Sequence, residues 1–270
     1  MLEENRVVAM LWIGPCLSKM ERLSIKSFQA HGHEVHLYVY DKVENIPEGT
    51  VVEDAAEIVP ESRIKDFRYL AQASNLWFYK YLLERGGIIS DCDNVALRPV
   101  ECFGEYGFYR NVEETTVTAA ICKAPQGSAL MKYLYDYVNG LTSKQLAVAE
   151  YQSLGPDLTR RVIIGEGATY HYGIAAYGLP PVEYPFAHLR AYFKPGYVTD
   201  PVSWSRIQDL IDPDAVWPRL NDATTLHLFS GAWEGMSGHA NLPEYLTLGT
   251  KDHEYPKGCL YEYLKVRYGC

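Results

Sequence analysis

Two aspartates separated by one residue, Asp91 and Asp93, are the side chains of this 270-residue chain best suited to chemistry. They follow a glycine pair at 86–87 and a short apolar stretch at 88–89 that is typical of a strand. Side chains at positions i and i+2 of an extended chain point the same way, so the two carboxylates are predicted to share one side. Oxygen ligands suit Mg²⁺ or Mn²⁺, which keep open positions for diphosphate oxygens. The pattern predicts a divalent-cation site, and a solvated acidic turn is the alternative.

The composition excludes several classes of protein. The formal net charge is -9, whereas a nucleic-acid binder needs a basic face. No apolar stretch approaches the roughly 18 residues of a membrane helix, and the acidic N-terminus does not resemble a signal peptide. Six cysteines are scattered without a Cys-x-x-Cys pair, which is typical of reduced thiols. We therefore expect a cytoplasmic protein with no transmembrane segment and no nucleic-acid partner.

The elements that must position the two acids follow an α/β pattern. A strand at 6–13, a helix at 17–30 and a strand at 34–40 predict a parallel unit. The longest helical pattern, 66–85, ends at Gly86, which is suited to a left-handed cap. Further strands are predicted at 95–100, 106–109, 117–123 and 224–229, with helices at 127–138 and 257–268. One compact domain over 1–270 is expected, with a mixed, mostly parallel central sheet flanked by helices.

The stretch from Ala73 to Asp93 resembles the signature of DXD-containing, sugar-binding glycosyltransferases of family 32 and its relatives, including the clostridial glucosylating toxins. That signature has a Ser-Asp pair on a helix, an Arg one turn later, a Tyr/Leu-rich face, Gly-Gly and Asp-x-Asp. Shorter matches lie at 11–14 and 154–156. The chain departs from the family at two positions, with Asn75 in place of the Asp and Phe78 in place of the Arg.

The resemblance implies a GT-A-like fold and a metal-dependent, retaining glycosyltransferase. Residues 1–125 would form the nucleotide-sugar-binding half and residues 126–270 the acceptor-binding half. Asp91 would meet ribose or sugar hydroxyls, and Asp93 would ligate Mn²⁺ or Mg²⁺. The base and ribose would lie near Trp12 and Gly14 at the end of the first strand. A UDP-sugar is the favoured donor, a GDP-sugar is possible, and the acceptor would be a saccharide.

The resemblance extends to a late block, 225–233, in which transferases of this fold place a metal ligand. His227 would be a further ligand there, although a histidine that alternates with leucines is also typical of a strand core. Asp157, beside a helix start at Pro156, is a further catalytic candidate that could position the acceptor. The tyrosines of 170–205 could line a saccharide groove or pack in the core. The remaining expected donor contacts are Asn75, Tyr79, Gly87, Ser230 and Trp233.

Two other functions remain open from the sequence. The order Asp91-Cys92-Asp93-Asn94-Val95 also fits the first motif of haloacid-dehalogenase-type phosphatases, in which the first Asp is the nucleophile and the second the acid/base. That motif usually opens the chain after a longer strand, and its late acidic partner motif is absent here. The departures at Asn75 and Phe78 favour a third alternative, a nucleotide-sugar-binding module that has lost catalysis.

Overall fold

The computed structural model describes residues 3–101, 104–110, 117–164, 186, 189, 193–194, 197–198, 220, 223–228, 230, 251–255 and 257–270. The strands are β1 Val7–Trp12, β2 Glu34–Val39, β3 Val51–Asp54, β4 Gly87–Ser90, β5 Asn94–Ala96, β6 Gly107–Arg110, β7 Val117–Ala124, β8 Phe193–Lys194, β9 Tyr197–Val198 and β10 Thr225–His227. The helices are α1 Lys19–Ala30, α2 Glu61–Ile64, α3 Leu70–Glu84, α4 Ala129–Asn139, α5 Ser143–Val148, α6 Pro156–Ile164 and α7 Leu260–Tyr268. Short 3₁₀ helices cover Glu3–Asn5 and Ala55–Glu57.

The described strands form a seven-stranded central sheet in the order β3-β2-β1-β4-β7-β6-β8 and a small sheet in the order β5-β10-β9. In the central sheet β3, β2, β1 and β4 run parallel. Strand β7 is antiparallel to both β4 and β6. Because β1 and β4 are parallel neighbours, their carboxyl ends lie at the same edge, where α/β proteins commonly place their ligand sites.

The central sheet is covered by apolar clusters on both faces. Alternate residues of β1 divide between them: Ala9 and Leu11 pack on the side of α3, α4 and α6, whereas Val8 and Met10 pack on the side of α1. Period-two alternation of this kind is what a strand buried on both faces requires. A third cluster joins α1 to α7 and the small sheet. The small sheet is therefore packed against the central one through α1.

Two local features determine the path of the chain at the start of α1 and at the end of α3. Ser18 and Glu21 form a reciprocal capping box that starts α1 shortly after β1. At the end of α3, Gly86 has φ 70°, and a Cβ there would come within 2.5 Å of the Gln126 backbone nitrogen. Only glycine combines this left-handed conformation with such a close backbone approach. The turn from α3 into β4 is tight for that reason.

The expected α/β fold with a mixed, mostly parallel sheet flanked by helices is confirmed, and it is consistent with a GT-A-like arrangement. Strand β3 and helix α5 were not predicted, and the strand expected at 95–100 extends only over 94–96. Within the predicted strand 224–229, the structure describes a strand at 225–227. None of the helices in the described ranges is long and apolar enough to cross a bilayer.

Candidate metal centre

Asp91 and Asp93 lie in a turn between β4 and β5, not on the extended strand that the sequence indicated. The Asp91 amide donates to the Ala120 carbonyl of β7 at 2.7 Å, which ties the start of the turn to the central sheet. The Cys92 side chain points away from the acids, and its Sγ lies 3.4 Å from the Leu11 carbonyl. The two carboxylates therefore still share one side of the chain, although the backbone between them is turned.

His227 reaches the two acids from β10 of the small sheet. Its Nε2 lies 3.0 Å from Asp93 Oδ1. One ligand atom from each of Asp91, Asp93 and His227 can be chosen so that all three lie within 4.8 Å of one another. These residues are the group of metal-ligand type that the described part of the chain brings together. Their separation along the sequence shows that the fold, not local spacing, assembles the cluster.

The chain just after β10 is tied to the same turn. The Leu228 amide donates to the Asp93 carbonyl at 2.8 Å. The Ser230 amide donates to Asp93 Oδ2, also at 2.8 Å. The donor contact expected of Ser230 stays a prediction, and its backbone N–H contacts the predicted metal ligand. Every residue except proline carries the same backbone N–H, so nothing in the amino-acid sequence could have revealed this contact.

The two acids differ in electrostatic environment. Burial, followed by the negative charge of Asp93, raises the pKa of Asp91 well above its ordinary value. Burial alone would also raise the pKa of Asp93, but His227 and the Ser230 N–H outweigh it and hold that pKa below the usual range. Asp93 is therefore the carboxylate that the protein stabilises in its charged form. Within the described residues, no hydrogen bond or positive charge lowers the pKa of Asp91 in the way that His227 and Ser230 lower that of Asp93.

This donor set fits a divalent cation. Two carboxylates and one imidazole are hard to borderline ligands that suit Mn²⁺, and the carboxylates also suit Mg²⁺. Asp93 is buried, whereas Asp91 and His227 are partly exposed, so the cluster opens on one side. Two like charges held this close disfavour each other unless a positive charge joins them. The residues at hand would hold such a cation between Asp91, Asp93 and His227.

Trp12 and Gly14 lie at the same edge, at the carboxyl end of β1. A Cβ on Gly14 would sit 3.2 Å from Trp12 Nε1, so the indole edge covers the glycine closely. Lys251 Nζ lies 5.5 Å from the center of the Trp12 ring, in the range of a cation–π contact. The same Nζ pairs with the buried Glu21 carboxylate at 2.9 Å. The Lys251–Glu21 pair was not predicted, because its partners are remote in sequence.

Two polar side chains of helix α3 form hydrogen bonds with other groups of the protein. Asn75 Nδ2 donates to the Ala71 carbonyl at 2.6 Å, and a Cβ on Gly155 would lie only 2.4 Å from that nitrogen. The Tyr79 hydroxyl is buried and lies 3.1 Å from the Leu154 carbonyl and 3.1 Å from Thr159 Oγ1. Burial raises the pKa of this hydroxyl. The donor contacts expected of Asn75 and Tyr79 stay predictions, and both side chains contact the segment at the start of α6.

The other described site candidates are not members of this cluster. Gly87 starts β4, so it is about 13 Å along the strand from Asp91 at ~3.3 Å per residue. Asp157 is buried in the first turn of α6, with Oδ1 3.9 Å from Arg160 Nη1. Phe78, in place of the family Arg, is buried beside a small apolar cavity. Trp233 lies outside the described residues, as does almost all of the tyrosine-rich stretch 170–205.

Comparison with known proteins gave structural likenesses but no sequence family. No family model matches the chain, and no curated protein matches it. One similar solved structure is a PaToxG glycosyltransferase, at 17% identity and a TM-score of 0.44, covering 57% of this chain and 67% of that one. Another is a transferase with two cysteine-to-serine substitutions, at 8% identity and a TM-score of 0.36, covering 68% and 94%. Neither likeness identifies the activity of this chain, which is inferred from its site residues.

Proposed function

We propose that this chain is a metal-dependent, retaining glycosyltransferase that moves a sugar from a nucleoside-diphosphate donor to a saccharide acceptor. The observation that carries the proposal is the convergence of Asp91, Asp93 and His227 at the carboxyl edge of the sheet. Trp12 and Gly14 follow at the same edge, because β1 and β4 are parallel neighbours. The signature-like stretch 73–93 supports the same conclusion. A UDP-sugar is the favoured donor and a GDP-sugar the second choice.

The proposed roles follow from the chemistry of sugar transfer. The bond between the anomeric carbon and the diphosphate oxygen breaks, and the diphosphate leaves with the electron pair. A bound Mn²⁺ or Mg²⁺ supplies Lewis-acid stabilisation of that leaving charge. Asp91, Asp93 and His227 would hold the cation, and Asp91 would also orient ribose or sugar hydroxyls beside it. The acceptor hydroxyl forms the new bond and gives up its proton, which the resemblance assigns to the leaving phosphate.

The phosphatase alternative has less support. It needs a second acidic group near the pair for the metal, whereas in the described residues the side chain that approaches Asp93 is the imidazole of His227. Metal-dependent turnover of an aryl phosphate at a rate well above sugar transfer would favour the phosphatase over our proposal.

The test is a screen of UDP- and GDP-sugars with Mn²⁺, read out as release of the nucleoside diphosphate with and without a saccharide acceptor. We expect release from at least one donor, and we expect a chelator to abolish it. Metal-independent release, or donor binding without any turnover across the screen, would contradict the proposal. The latter result would identify a nucleotide-sugar-binding module instead.

A further inference from the structure

The ligand cluster consists of two parts that are attached to different sheets. Asp91 belongs to the end of β4 and is held to β7 through the Ala120 carbonyl. Asp93 belongs to the small sheet, because its carbonyl and carboxylate both accept hydrogen bonds from the chain that follows His227. Cys92 is the only residue between the two parts. A further contact between the Asp91 part and the Asp93–His227 part is needed to keep their spacing constant, in addition to the backbone at Cys92.

The Asn94 side chain makes that connection. Its Nδ2 donates to the Ala120 carbonyl at 2.8 Å and to Ser90 Oγ at 3.2 Å. Ser90 Oγ in turn donates to the Asp91 carbonyl at 3.0 Å. The backbone of Asn94 is meanwhile paired with His227 in the small sheet. One fully buried residue thus links the strand that carries His227 to the two groups that hold Asp91.

The orientation of the amide is determined by its partners. A carbonyl oxygen can only accept, so the amide nitrogen of Asn94 must face Ala120. This leaves Asn94 Oδ1 buried without a hydrogen-bond partner in the described residues. An unpaired buried carbonyl disfavours the folded state and offsets part of what the two Nδ2 hydrogen bonds contribute, so an apolar residue of similar shape should change stability little. Ala120 O and Ser90 Oγ would both keep Asp91 as a partner after such a change.

We infer that Asn94 is a positioning residue for the metal centre, which sets the distance between the Asp91 carboxylate and the Asp93–His227 pair. This inference rests on the proposed metal-binding function of the cluster. Residues that orient metal ligands without touching the metal commonly change its affinity by ~10–100-fold when they are removed. Asn94 acts here on backbone position, because its contacts are to the carbonyl and hydroxyl groups that hold Asp91.

The experiment measures Mn²⁺ affinity by calorimetry, and by the electron paramagnetic resonance signal of free Mn²⁺, on the full chain. Asn94→Leu keeps roughly the shape of the residue and removes both donors, and Asn94→Ala serves if leucine prevents folding. Thr225→Val is the matched control: Thr225 is equally buried in the same small sheet, and its Oγ1 also lacks a hydrogen-bond partner in the described residues. Thermal melting of each variant without metal reports the fold separately.

We expect the Asn94 variants to raise the dissociation constant for Mn²⁺ by about 10-fold or more, with small changes in melting temperature. Ser90→Ala should give a smaller loss, and Thr225→Val should bind as the wild type does. Wild-type affinity for Mn²⁺ in both Asn94 variants, or an equal loss of affinity in Thr225→Val, would overturn the role of Asn94. Either result would leave the proposed function intact. A wild-type protein that does not bind Mn²⁺ would overturn the proposed function and this inference with it.

Discussion

One stretch of sequence, 73–93, contributes two regions that treat their polar side chains in opposite ways. In the helical region, Asn75 and Tyr79 donate to carbonyls of the chain itself, one within α3 and the other at the start of α6. In the turn, Asp91 and Asp93 lie close to each other and to His227, and burial and the charge of Asp93 both disfavour the charged form of Asp91. Buried polar groups that have hydrogen-bond partners within the protein stabilise the fold. Carboxylates whose charge the protein disfavours are typical of sites that bind a ligand.

The same difference is seen at the two positions where the chain departs from the signature that it resembles. Asn75 donates a hydrogen bond to the Ala71 carbonyl, and Phe78 is buried in the apolar core. Both side chains of this helix therefore stabilise the fold. The turn keeps both acids of the motif and gains an imidazole from a remote strand. We therefore expect substitutions in the turn to change ligand binding, and substitutions on the helix to change stability.

The largest expected effect is at Asp93. Asp93→Asn removes the charge that His227 and the Ser230 N–H stabilise, and with it the principal proposed anchor for the cation. We expect kcat/KM for sugar transfer to fall at least ~100-fold, the scale for losing a group that stabilises leaving-group charge. Asp136→Asn is the matched control, because Asp136 lies exposed on α4. Similar activity in both variants would remove the turn from the mechanism.

The contact between Asn75 and Gly155 offers a sharper test of the helical region. Gly155→Ala would place a Cβ against the Asn75 amide and should lower the free energy of unfolding by about 1–3 kcal/mol, the usual range for overpacking. Asn75→Ala in the same chain should recover much of that loss, because it removes the clashing atoms. Denaturant unfolding of both single variants and the double variant measures the coupling. Strict additivity would show that the two residues do not touch.

A smaller effect is expected at Tyr79. Tyr79→Phe removes the hydroxyl that lies between Leu154, Gly155 and Thr159. We expect a loss of about 1–2 kcal/mol in stability, since a buried hydrogen bond is lost and its partners are left short of a donor. The KM for the donor sugar should stay as in the wild type. A raised KM with an unchanged melting temperature would instead support the donor contact predicted from the sequence.

The smallest effect concerns a second histidine, His33, which contrasts with His227. The Val100 amide donates to His33 Nε2 at 2.9 Å, and Nδ1 lies 3.0 Å from the Asn5 carbonyl, so the neutral ring satisfies both neighbours. Burial lowers the pKa of His33. The unfolded chain therefore binds the proton first, and stability is lost as the pH falls from about 6.5 toward the lowered folded pKa.

Replacing this ring should remove that component of the pH dependence. The difference in unfolding free energy between the wild type and His33→Gln is expected to shrink as the pH is lowered from 7 to 5. A difference that stays constant over this range would show that the folded protein accepts the charged ring. Sugar transfer should be unaffected by this variant, because His33 lies away from the metal centre, at the start of β2.

Local patterns predicted much of the fold. Apolar runs and helical spacing located β1, α1, β2 and α3, and Gly86 correctly marked the end of the long helix. They missed β3, an edge strand with partly exposed residues, because its short Val-Val-Glu-Asp sequence lacks a clear apolar alternation. The position of the antiparallel β7 beside β4 depends on contacts between distant segments, which no local pattern records.

The site was predictable to a similar extent. The Asp-x-Asp spacing pointed to two of the three side chains of the cluster, and His227 became a candidate only through the resemblance. The chain did not reveal that Asn94 bridges the two parts of the cluster, because that role depends on Ser90, Ala120 and the pairing with His227. The same holds for Lys251, which reaches Trp12 and Glu21 from the far end of the chain.

In the proposed mechanism, Asp91, Asp93 and His227 bind the cation that holds a nucleoside diphosphate. The most direct measurement is a calorimetric titration of UDP, and in parallel GDP, into the protein with Mn²⁺ and with a chelator, for the wild type and Asp93→Asn. We expect nucleotide binding by the wild type that requires Mn²⁺ and is lost in the variant. Nucleotide binding that is equal with the chelator, or equal in Asp93→Asn, would contradict the claim.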